Sequence, residues 1–436
     1  MAAAGSGTSA GTIDPAAVDQ VAGLARAAKV ASRRLALMSR TAKDDALHAM
    51  ADALEAATPH LIEANAEDQQ RGRDAGLADG LLDRLLLDER RIAAIAGAVR
   101  DIARLSDPVG EVVRGSTLAN GLQIRQIRVP MGVVGMIYEA RPNVTVDAAA
   151  LSLKSGNAVI LRGGSAAASS NRALVGVMRA ALTAQGVDAD SVCLLDGGGR
   201  DAARALMTAR GLVDLVIPRG GADLIQTVVR ESTVPVIETG IGVNHVYVDA
   251  AADLDMAHDI AVNAKVQRPS VCNAAESLLV HEAVAEAFLP KILADLGSAG
   301  VTLHAAEEVG PYAAAAGAAY QPATDEDFGT EWHALDLSVR IVPSLDAAMD
   351  HIRSYGTQHT EVIVTQDRAA ARRFTAEVDA AVVVVNASSR FTDGGEFGFG
   401  AEIGISTQKL HARGPMALPE LTTTKWVVEG DGQIRT

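Results

Sequence analysis

The sequence predicts an α/β protein with two parallel-sheet domains, a helical segment at the start and a small arm of β-ribbons. From about residue 130 to residue 406, apolar runs typical of buried strands alternate with helical segments, which favours parallel sheets covered by helices. Strand-like segments around turn signals lie outside this alternation, at two distant places in the chain. The 436 residues, 48% of them hydrophobic, are enough for two or three packed domains.

The N-terminal part is predicted to be helical after a short tail. Residues 1–13 are small and polar, without the basic flank or apolar run of a signal peptide, so we expect a disordered tail. Asp14 and Pro15 then favour a helix start, as a cap followed by proline in the first turn. Helix-period apolar positions continue to about Asp107, and we expect residues 14–110 to join the first α/β domain.

The two α/β domains are expected over residues 130–238 and 239–406. A helix over Ser165–Gln185, closed by Gly186, is predicted within the first. The predicted strands are Val133–Tyr138, Ala158–Leu161, Val192–Leu195, Val213–Pro218 and Val234–Ile237, then Val246–Val248, Ser277–Val280, Val339–Val342, Val362–Val364 and Val382–Val385. Ligands of such sheets bind at the carboxyl ends of the strands.

Residues 111–129 and 407–436 are predicted to form the β-ribbons. Asn120-Gly121 favours a tight turn between two short strands, and residues 429–432 give a similar signal near the C terminus. The two ribbons could pair into one arm. Such an arm suits assembly into a homodimer or a homotetramer.

Charge and motif content exclude several classes of function. With 54 acidic against 39 basic residues the net charge is −15, which disfavours binding to nucleic acid or to an anionic membrane. The longest apolar stretches are shorter than the roughly 18–20 residues of a membrane span. Two cysteines indicate a reducing cytoplasm instead of a disulfide framework. The ten histidines form no H-E-x-x-H motif and C-x-x-C is absent, so we expect no metal site.

Two strand-to-helix turns are candidates for binding a phosphate. Arg162, Gly163, Gly164 and Ser165 follow one predicted strand. Arg219, Gly220 and Gly221 follow another. Glycine lets an anion approach the backbone, and the N–H groups at a helix start attract negative charge. Ordinary tight turns use the same residues, so the local sequence leaves both interpretations open.

Cys272 lies in a polar loop interrupted by proline, where catalytic residues concentrate. Lys265 and Arg268 are close in sequence and could lower its thiol pKa. A cysteine is also common as a small buried apolar residue. The loop alone therefore leaves the role of Cys272 open, whereas Cys193 fits a buried strand position.

Four blocks of sequence carry a resemblance to the aldehyde dehydrogenase superfamily, and to its branch that reduces gamma-glutamyl phosphate. The resemblance covers the chain from about residue 20 to the end. The blocks are Tyr138–Thr145 (YEARPNVT), Gln267–Ala274 (QRPSVCNA), His351–Glu361 (HIRSYGTQHTE) and Phe397–Thr407 (FGFGAEIGIST). It implies an aldehyde dehydrogenase-like fold, with an NADPH-binding domain over 14–110 and 130–238 and a catalytic domain over 239–406.

The resemblance also implies a role for single residues. Cys272 falls at the position of the nucleophile, and Asn143 at that of the amide in the oxyanion hole. Arg162 and Ser165 fall at the adenosine ribose, Gly220 and Gly221 at the pyrophosphate, and Glu331 at the nicotinamide ribose. Gly163, Gly164 and Arg219 are expected to bind the cofactor beside them. A serine stands at position 165 where NAD-preferring relatives often carry glutamate, which together with Arg162 suits the 2′-phosphate of NADPH.

The implied reaction is NADPH-dependent reduction of gamma-glutamyl phosphate to glutamate 5-semialdehyde, the second step of proline biosynthesis from glutamate. Phosphate is released and a thioacyl-cysteine intermediate forms. Glu238 matches the glutamate that activates water in oxidising relatives, but hydrolysis would waste the intermediate here, so we expect it to position cofactor or loop. Arg141, Arg268 and Arg413 are candidates for substrate binding by their charge alone.

Alternatives to this interpretation are another acyl-phosphate or thioester reductase of the superfamily, or a non-catalytic assembly protein that kept the fold. Glutamate 5-kinase, which makes the unstable acyl phosphate, is a candidate partner that could hand it over directly.

Overall fold

The computed structural model describes residues 12–139 and 141–435. Residues 1–11 of the predicted disordered tail lie outside the described residues. The chain divides into two compact units, one formed by Met1–Ile237 with Leu418–Thr436 and the other by Glu238–Ala417. Each unit is described separately below.

The first unit contains a parallel sheet, a helical lead-in and an antiparallel ribbon. Its helices are α1 (Pro15–Leu35), α2 (Arg40–Ala56), α3 (Thr58–Asp74), α4 (Asp79–Leu85), α5 (Glu89–Arg104), α6 (Pro142–Lys154), α7 (Ala168–Ala184), α8 (Gly199–Thr208) and α9 (Ala222–Glu231). Its strands are β1 (Val112–Thr117), β2 (Gln123–Pro130), β3 (Val133–Tyr138), β4 (Ala158–Gly163), β5 (Val192–Leu194), β6 (Leu215–Arg219) and β16 (Thr422–Glu429). The parallel sheet has the order β5-β4-β3-β6, and the antiparallel ribbon has the order β1-β2-β16.

Two buried lysines connect the helical lead-in to the helix that follows β3. The Lys43 ammonium on α2 lies 2.7 Å from the Asp107 carboxylate and also donates to the backbone oxygen of Lys154. Lys154, at the end of α6, pairs with Asp44 and donates to the oxygen of Ala103. Both ammonium groups are fully buried, so these contacts hold α2 and α5 against α6.

The second unit is built on a seven-stranded sheet with the order β10-β9-β11-β8-β7-β12-β13, in which every neighbouring pair is parallel. Its strands are β7 (Asn244–Val248), β8 (Ala275–His281), β9 (Thr302–Ala305), β10 (Tyr320–Pro322), β11 (Asp336–Val342), β12 (Thr360–Val364), β13 (Val382–Val385), β14 (Gly404–Ser406) and β15 (Gly414–Met416). Its helices are α10 (Leu254–Val266), α11 (Glu282–Ser298), α12 (Gly310–Ala316), α13 (Leu345–Tyr355) and α14 (Arg368–Glu377). Strands β14 and β15 form a separate antiparallel pair.

Several predictions about the elements are confirmed. β3 and β13 have the predicted bounds. The predicted pairing of the two distant ribbons is present, because β16 pairs with β2 from Thr422 opposite Pro130 to Glu429 opposite Gln123.

Other predictions about the elements are wrong. The predicted strand Val234–Ile237 makes only an isolated bridge from Val236 to Val216, since the chain leaves the sheet there. The C-terminal ribbon is one strand, not a hairpin. The segment 407–413 connects β14 to β15 and belongs to the second unit, which reaches Ala417 and not residue 406. The helix predicted from Ser165 begins as one 3-10 turn over Ser165–Ala167.

None of the helices within 12–139 and 141–435 is long and apolar enough to span a membrane.

Candidate active site

Cys272 lies on a turn between α10 and β8 that is fixed by its neighbours. The side-chain amide of Asn244, on β7, donates to the backbone oxygens of Cys272 and Ala274, at 2.7 Å each. Gly242 packs so closely on this turn that a Cβ at its position would lie 1.6 Å from the Cys272 oxygen. Only glycine therefore fits at position 242, and the half-buried Cys272 is held in a defined place.

The chain from Glu238 to Gly242 passes beside this turn. The backbone N–H of Glu238 donates to Gln408 Oε1 at 3.1 Å. Glu331 accepts from the N–H of Gly242 at 3.0 Å and lies 3.3 Å from the imidazole of His333. Burial by itself would raise the pKa of Glu331, but the bonds from His333 and Gly242 hold that pKa below its ordinary value. Glu331 is thus an anion bound to the loop beside Cys272.

Arg390 is a basic residue at this turn that the sequence analysis missed. Its Nε donates to Gln267 Oε1 at 2.7 Å, and its backbone oxygen accepts from Asn273. Both partners belong to the loop that carries Cys272. The signal in the sequence was a cation shortly after an apolar strand, at the carboxyl end where ligands bind.

A buried ion pair flanks the same loop. Lys265 on α10 lies 2.6 Å from Glu276 on β8, and both side chains are almost fully buried. Burial raises the pKa of Glu276 to about 7, although the neighbouring Lys265 opposes that shift. Lys265, which the sequence suggested as a cation for Cys272, is therefore partnered by a carboxylate.

In the first unit, Arg162 and Ser165 line a small cleft at the carboxyl ends of β4 and β5. The cleft has a volume of about 160 Å³ and also contacts Asp196 and Gly199. Arg162 donates to the backbone oxygens of Gly163 and Gly199, and its Nε is buried without a hydrogen-bond partner. Burial lowers the pKa of the Arg162 guanidinium. A buried N–H without a partner is uncommon in proteins, so Arg162 is a candidate for binding an anion, beside the Asp196 carboxylate.

Gly163 has a packing role in the same region. A Cβ at Gly163 would lie 2.2 Å from the side-chain nitrogen of Asn171. Gly164 leads from it into the exposed Ser165. Glycine at 163 is thus required by its neighbour, whether or not a phosphate binds.

The turn over Arg219, Gly220 and Gly221 holds a carboxylate of the protein itself. Glu139 accepts from the N–H of Gly221 at 3.0 Å, at the start of α9. A Cβ at Gly220 would lie 2.8 Å from the Glu139 carboxyl carbon. In the structure the anionic group at this turn is Glu139.

A larger groove lies between α8 and α9 of the same unit. Its volume is about 1170 Å³, and Glu139, Arg200 and Arg204 are among its lining residues. Gly199 lines the small cleft and Arg200 lines this groove.

Asn143 is exposed in the first turn of α6. Its side-chain nitrogen donates to Asp147 Oδ2 at 3.3 Å, one helical turn later. Burial raises the pKa of Asp147 to about 6, against the opposing effects of Asn143 and the Arg219 guanidinium. Arg141 is the residue that caps this helix. Asp147 is a second polar group that the sequence analysis missed.

The remaining candidates have local partners. Arg413, proposed from charge alone, lies 2.8 Å from the Asp379 carboxylate. Lys409 pairs with the same carboxylate. Burial raises the pKa of the Cys193 thiol to about 11, which fits the expected inert position in β5. Among the described residues, no group of three His, Cys, Asp or Glu could hold a metal ion.

These sites fall into two groups, one in each unit. Asn143, Arg162–Ser165 and Arg219–Gly221 follow the carboxyl ends of β3, β4 and β6. The second group, in the second unit, consists of loop residues and of Arg390 in a 3-10 turn; the loop residues are Cys272, Glu238, Glu331 and Arg268.

The model of the aldehyde dehydrogenase family matches residues 3–320. The chain belongs to the aldehyde dehydrogenase family. Enzymes of this family use nicotinamide cofactors, and the chain is accordingly an oxidoreductase.

Similar proteins from several organisms carry the same enzyme name. The chain is 62% identical over 417 residues to the gamma-glutamyl phosphate reductase of Kineococcus radiotolerans, covering 96% of each chain. It is 61% identical over 412 residues to the enzyme of that name from Thermobifida fusca, covering 94% of this chain and 98% of the relative. The crystal structure of gamma-glutamyl phosphate reductase from Thermotoga maritima has a TM-score of 0.93 at 43% identity, over 96% of this chain and 100% of the other. The predicted α/β, aldehyde dehydrogenase-like fold is therefore confirmed.

Proposed function

We propose that this protein reduces gamma-glutamyl phosphate to glutamate 5-semialdehyde with NADPH and releases phosphate, as the second step of proline biosynthesis from glutamate. The observation that carries this proposal is the 62% identity to a gamma-glutamyl phosphate reductase over nearly the whole of both chains. The fixed turn at Cys272 supports it, because a nucleophile must be held in place to attack an acyl carbon.

Cys272 is the nucleophile of the proposed reaction. A bond forms between its sulfur and the acyl carbon while the bond from that carbon to the phosphate oxygen breaks, and phosphate leaves with the electron pair. The Asn143 amide and the backbone N–H of Cys272 stabilise the oxyanion that develops. Such donors contribute about 2.7–4 kcal/mol each.

NADPH, when bound, supplies the hydride that reduces the resulting thioester. The residues that would hold it are Arg162, Gly163, Gly164 and Ser165, with Arg219, Gly220, Gly221 and Glu331. The guanidinium of Arg162 suits a 2′-phosphate, and the groove between α8 and α9 is large enough for a nucleoside. Glu139 has to leave the N–H of Gly221 before a pyrophosphate can use it.

Glu238 has a positioning role in this proposal. Water activated by a carboxylate would hydrolyse the thioester, which would waste the acyl phosphate. The bond from its N–H to Gln408 makes it part of the loop that ends in Gly242, beside Cys272. We assign it to holding that loop or the cofactor.

The wider assignments belong to the same proposal. Residues 14–110 and 130–238 bind NADPH, and residues 239–406 supply the nucleophile. The β-ribbons mediate assembly into a homodimer or homotetramer. The free thiols Cys193 and Cys272 fit a reducing cytoplasm, where glutamate 5-kinase could hand over its unstable product.

The test is the variant Cys272→Ser. It should abolish NADPH- and phosphate-dependent turnover, because a serine hydroxyl is a far weaker nucleophile than a thiolate. NADPH binding, measured by fluorescence titration, should persist. The matched control is Cys193→Ala, which alters the other thiol and should retain turnover. Near-normal turnover of Cys272→Ser would refute the assignment.

A further inference from the structure

Two arginines beside Cys272 have no acidic partner. Within the part of the chain that the structure describes, neither Arg268 nor Arg390 has a carboxylate within ion-pair distance. Other arginines of the second unit, such as Arg353 and Arg373, pair with carboxylates. An anion from outside the protein is the natural partner of such a pair.

Hydrogen bonds fix Arg390 against the loop of Cys272. Its Nε is used by Gln267, which leaves the N–H groups of the two terminal nitrogens for another acceptor. Ser389 Oγ donates to the backbone oxygen of Asn273, and Asn273 donates to the backbone oxygens of Arg390 and Thr392. Arg390 is thus held both by Gln267, which precedes Cys272 in the sequence, and by Asn273, which follows it.

The charges around Arg390 favour an anionic ligand. Burial lowers its pKa and the like charge of Arg268 lowers it further, whereas Asp393, Cys272 and Glu396 raise it. An anion that binds to both guanidinium groups stabilises each of them.

We propose that Arg268 and Arg390 form a phosphate subsite, which binds the phosphoryl group of the acyl phosphate and retains it as the C–O bond breaks. This deepens the proposed function and rests on it. The phosphoryl group is joined to the carbon that Cys272 attacks through a single bridging oxygen, whereas the α-carboxylate is several bonds away. A cation pair beside the thiol therefore matches the phosphoryl group, which leaves with additional negative charge.

The test runs the reaction in the direction of aldehyde oxidation, where inorganic phosphate is a separate substrate. Arg390→Gln and Arg268→Gln should each raise the KM for phosphate about tenfold or more, equivalent to about 1.4 kcal/mol per tenfold. The KM for glutamate 5-semialdehyde should stay within about twofold, and Arg390→Lys should restore part of the loss. The control Arg372→Gln removes an exposed charge from α14 and should change neither constant.

A second measurement does not depend on turnover. Inorganic phosphate should slow alkylation of Cys272 by iodoacetamide in the unaltered protein, and much higher concentrations should be needed in Arg390→Gln. A raised aldehyde KM with an unchanged phosphate KM would overturn the proposal, since the pair would then bind the α-carboxylate.

Measurement of the first turnover distinguishes a failure of the phosphate subsite from a failure of the proposed function. Without phosphate, aldehyde and NADP+ should still give a burst of NADPH in Arg390→Gln, because the acylation half does not use the subsite. If the unaltered protein gives no burst, the proposed function itself fails. If it gives a burst and phosphate affinity is the same in all variants, only the subsite fails.

Discussion

At the scale of single residues, the protonation state of Asp147 should make the orientation of the Asn143 amide depend on pH. An ionised carboxylate can only accept hydrogen bonds, so it holds one N–H of the Asn143 amide and leaves the second N–H for the oxyanion. A protonated carboxyl can instead donate to the amide oxygen and permit the amide to turn. With a pKa raised to about 6 by burial, Asp147 is mainly ionised at pH 7 and loses its charge as the pH falls through 6. Arg219 is the cation that acts on it.

The expected consequence is an acidic limb in the pH profile of kcat near pH 6. Asp147→Asn should remove this limb, since its amide oxygen accepts the same bond at every pH. Asp147→Ala should lower kcat at all pH values, by up to about 10²-fold, through loss of orientation. The KM for NADPH should be unchanged in both. An unaltered pH profile in Asp147→Asn would show that another group titrates.

Asn143 itself should behave as a donor to the transition state. Asn143→Ala is expected to lower kcat by about 10²–10³-fold while NADPH binding persists. Stopped-flow measurement of NADPH oxidation gives the rate. A kcat near that of the unaltered protein would remove Asn143 from the oxyanion hole.

Cofactor choice is also a property of one residue. Arg162→Glu should weaken NADPH more than NADH, because a carboxylate in the small cleft repels the 2′-phosphate that only NADPH carries. Titration of both nucleotides against the variant measures the difference. Equal losses for the two would show that Arg162 does not contact that phosphate.

At the scale of elements, buried ion pairs hold the helical lead-in in place. Lys43→Met leaves the Asp107 carboxylate, about 10% exposed, without its cation. Removing one partner of such a pair costs about 3–5 kcal/mol in the free energy of unfolding. The double variant Lys43→Met with Asp107→Asn should lose less, because no unpaired charge remains. Urea denaturation of the single and double variants measures this coupling, and equal losses would contradict it.

The elements also show what the sequence could predict. The strands of the parallel sheets were predictable because they are continuous apolar runs, buried on both faces, as in β3 and β12. β10 has no such run and is exposed at an edge, so periodicity gave no signal. Contacts between distant parts of the sequence could not be predicted either, such as the bond from the Asn157 side chain to the backbone oxygen of Leu421.

Part of the candidate site was predictable, because some of its residues carry a signal in the local sequence. Cys272 and Asn143 belong to contiguous sequence blocks with a family resemblance, and Arg162 follows a predicted strand. Glu139, Asp147 and Arg390 act through contacts made by folding, such as the bond from Gly221 to Glu139. Spacing along the chain carries no information about contacts of that kind.

At the scale of the whole molecule, the ribbon β1-β2-β16 is the surface most suited to a second copy of the chain. Its outer strands have unpaired edges, and Val112, Val113, Trp426 and Val428 are each about half exposed. Exposed apolar side chains on an open edge strand favour association. Val112→Lys with Val428→Lys should therefore lower the mass measured by sedimentation velocity. The control Leu410→Lys, at a more exposed leucine outside the ribbon, should leave the mass unchanged. If the ribbon variant keeps its mass, assembly uses another surface.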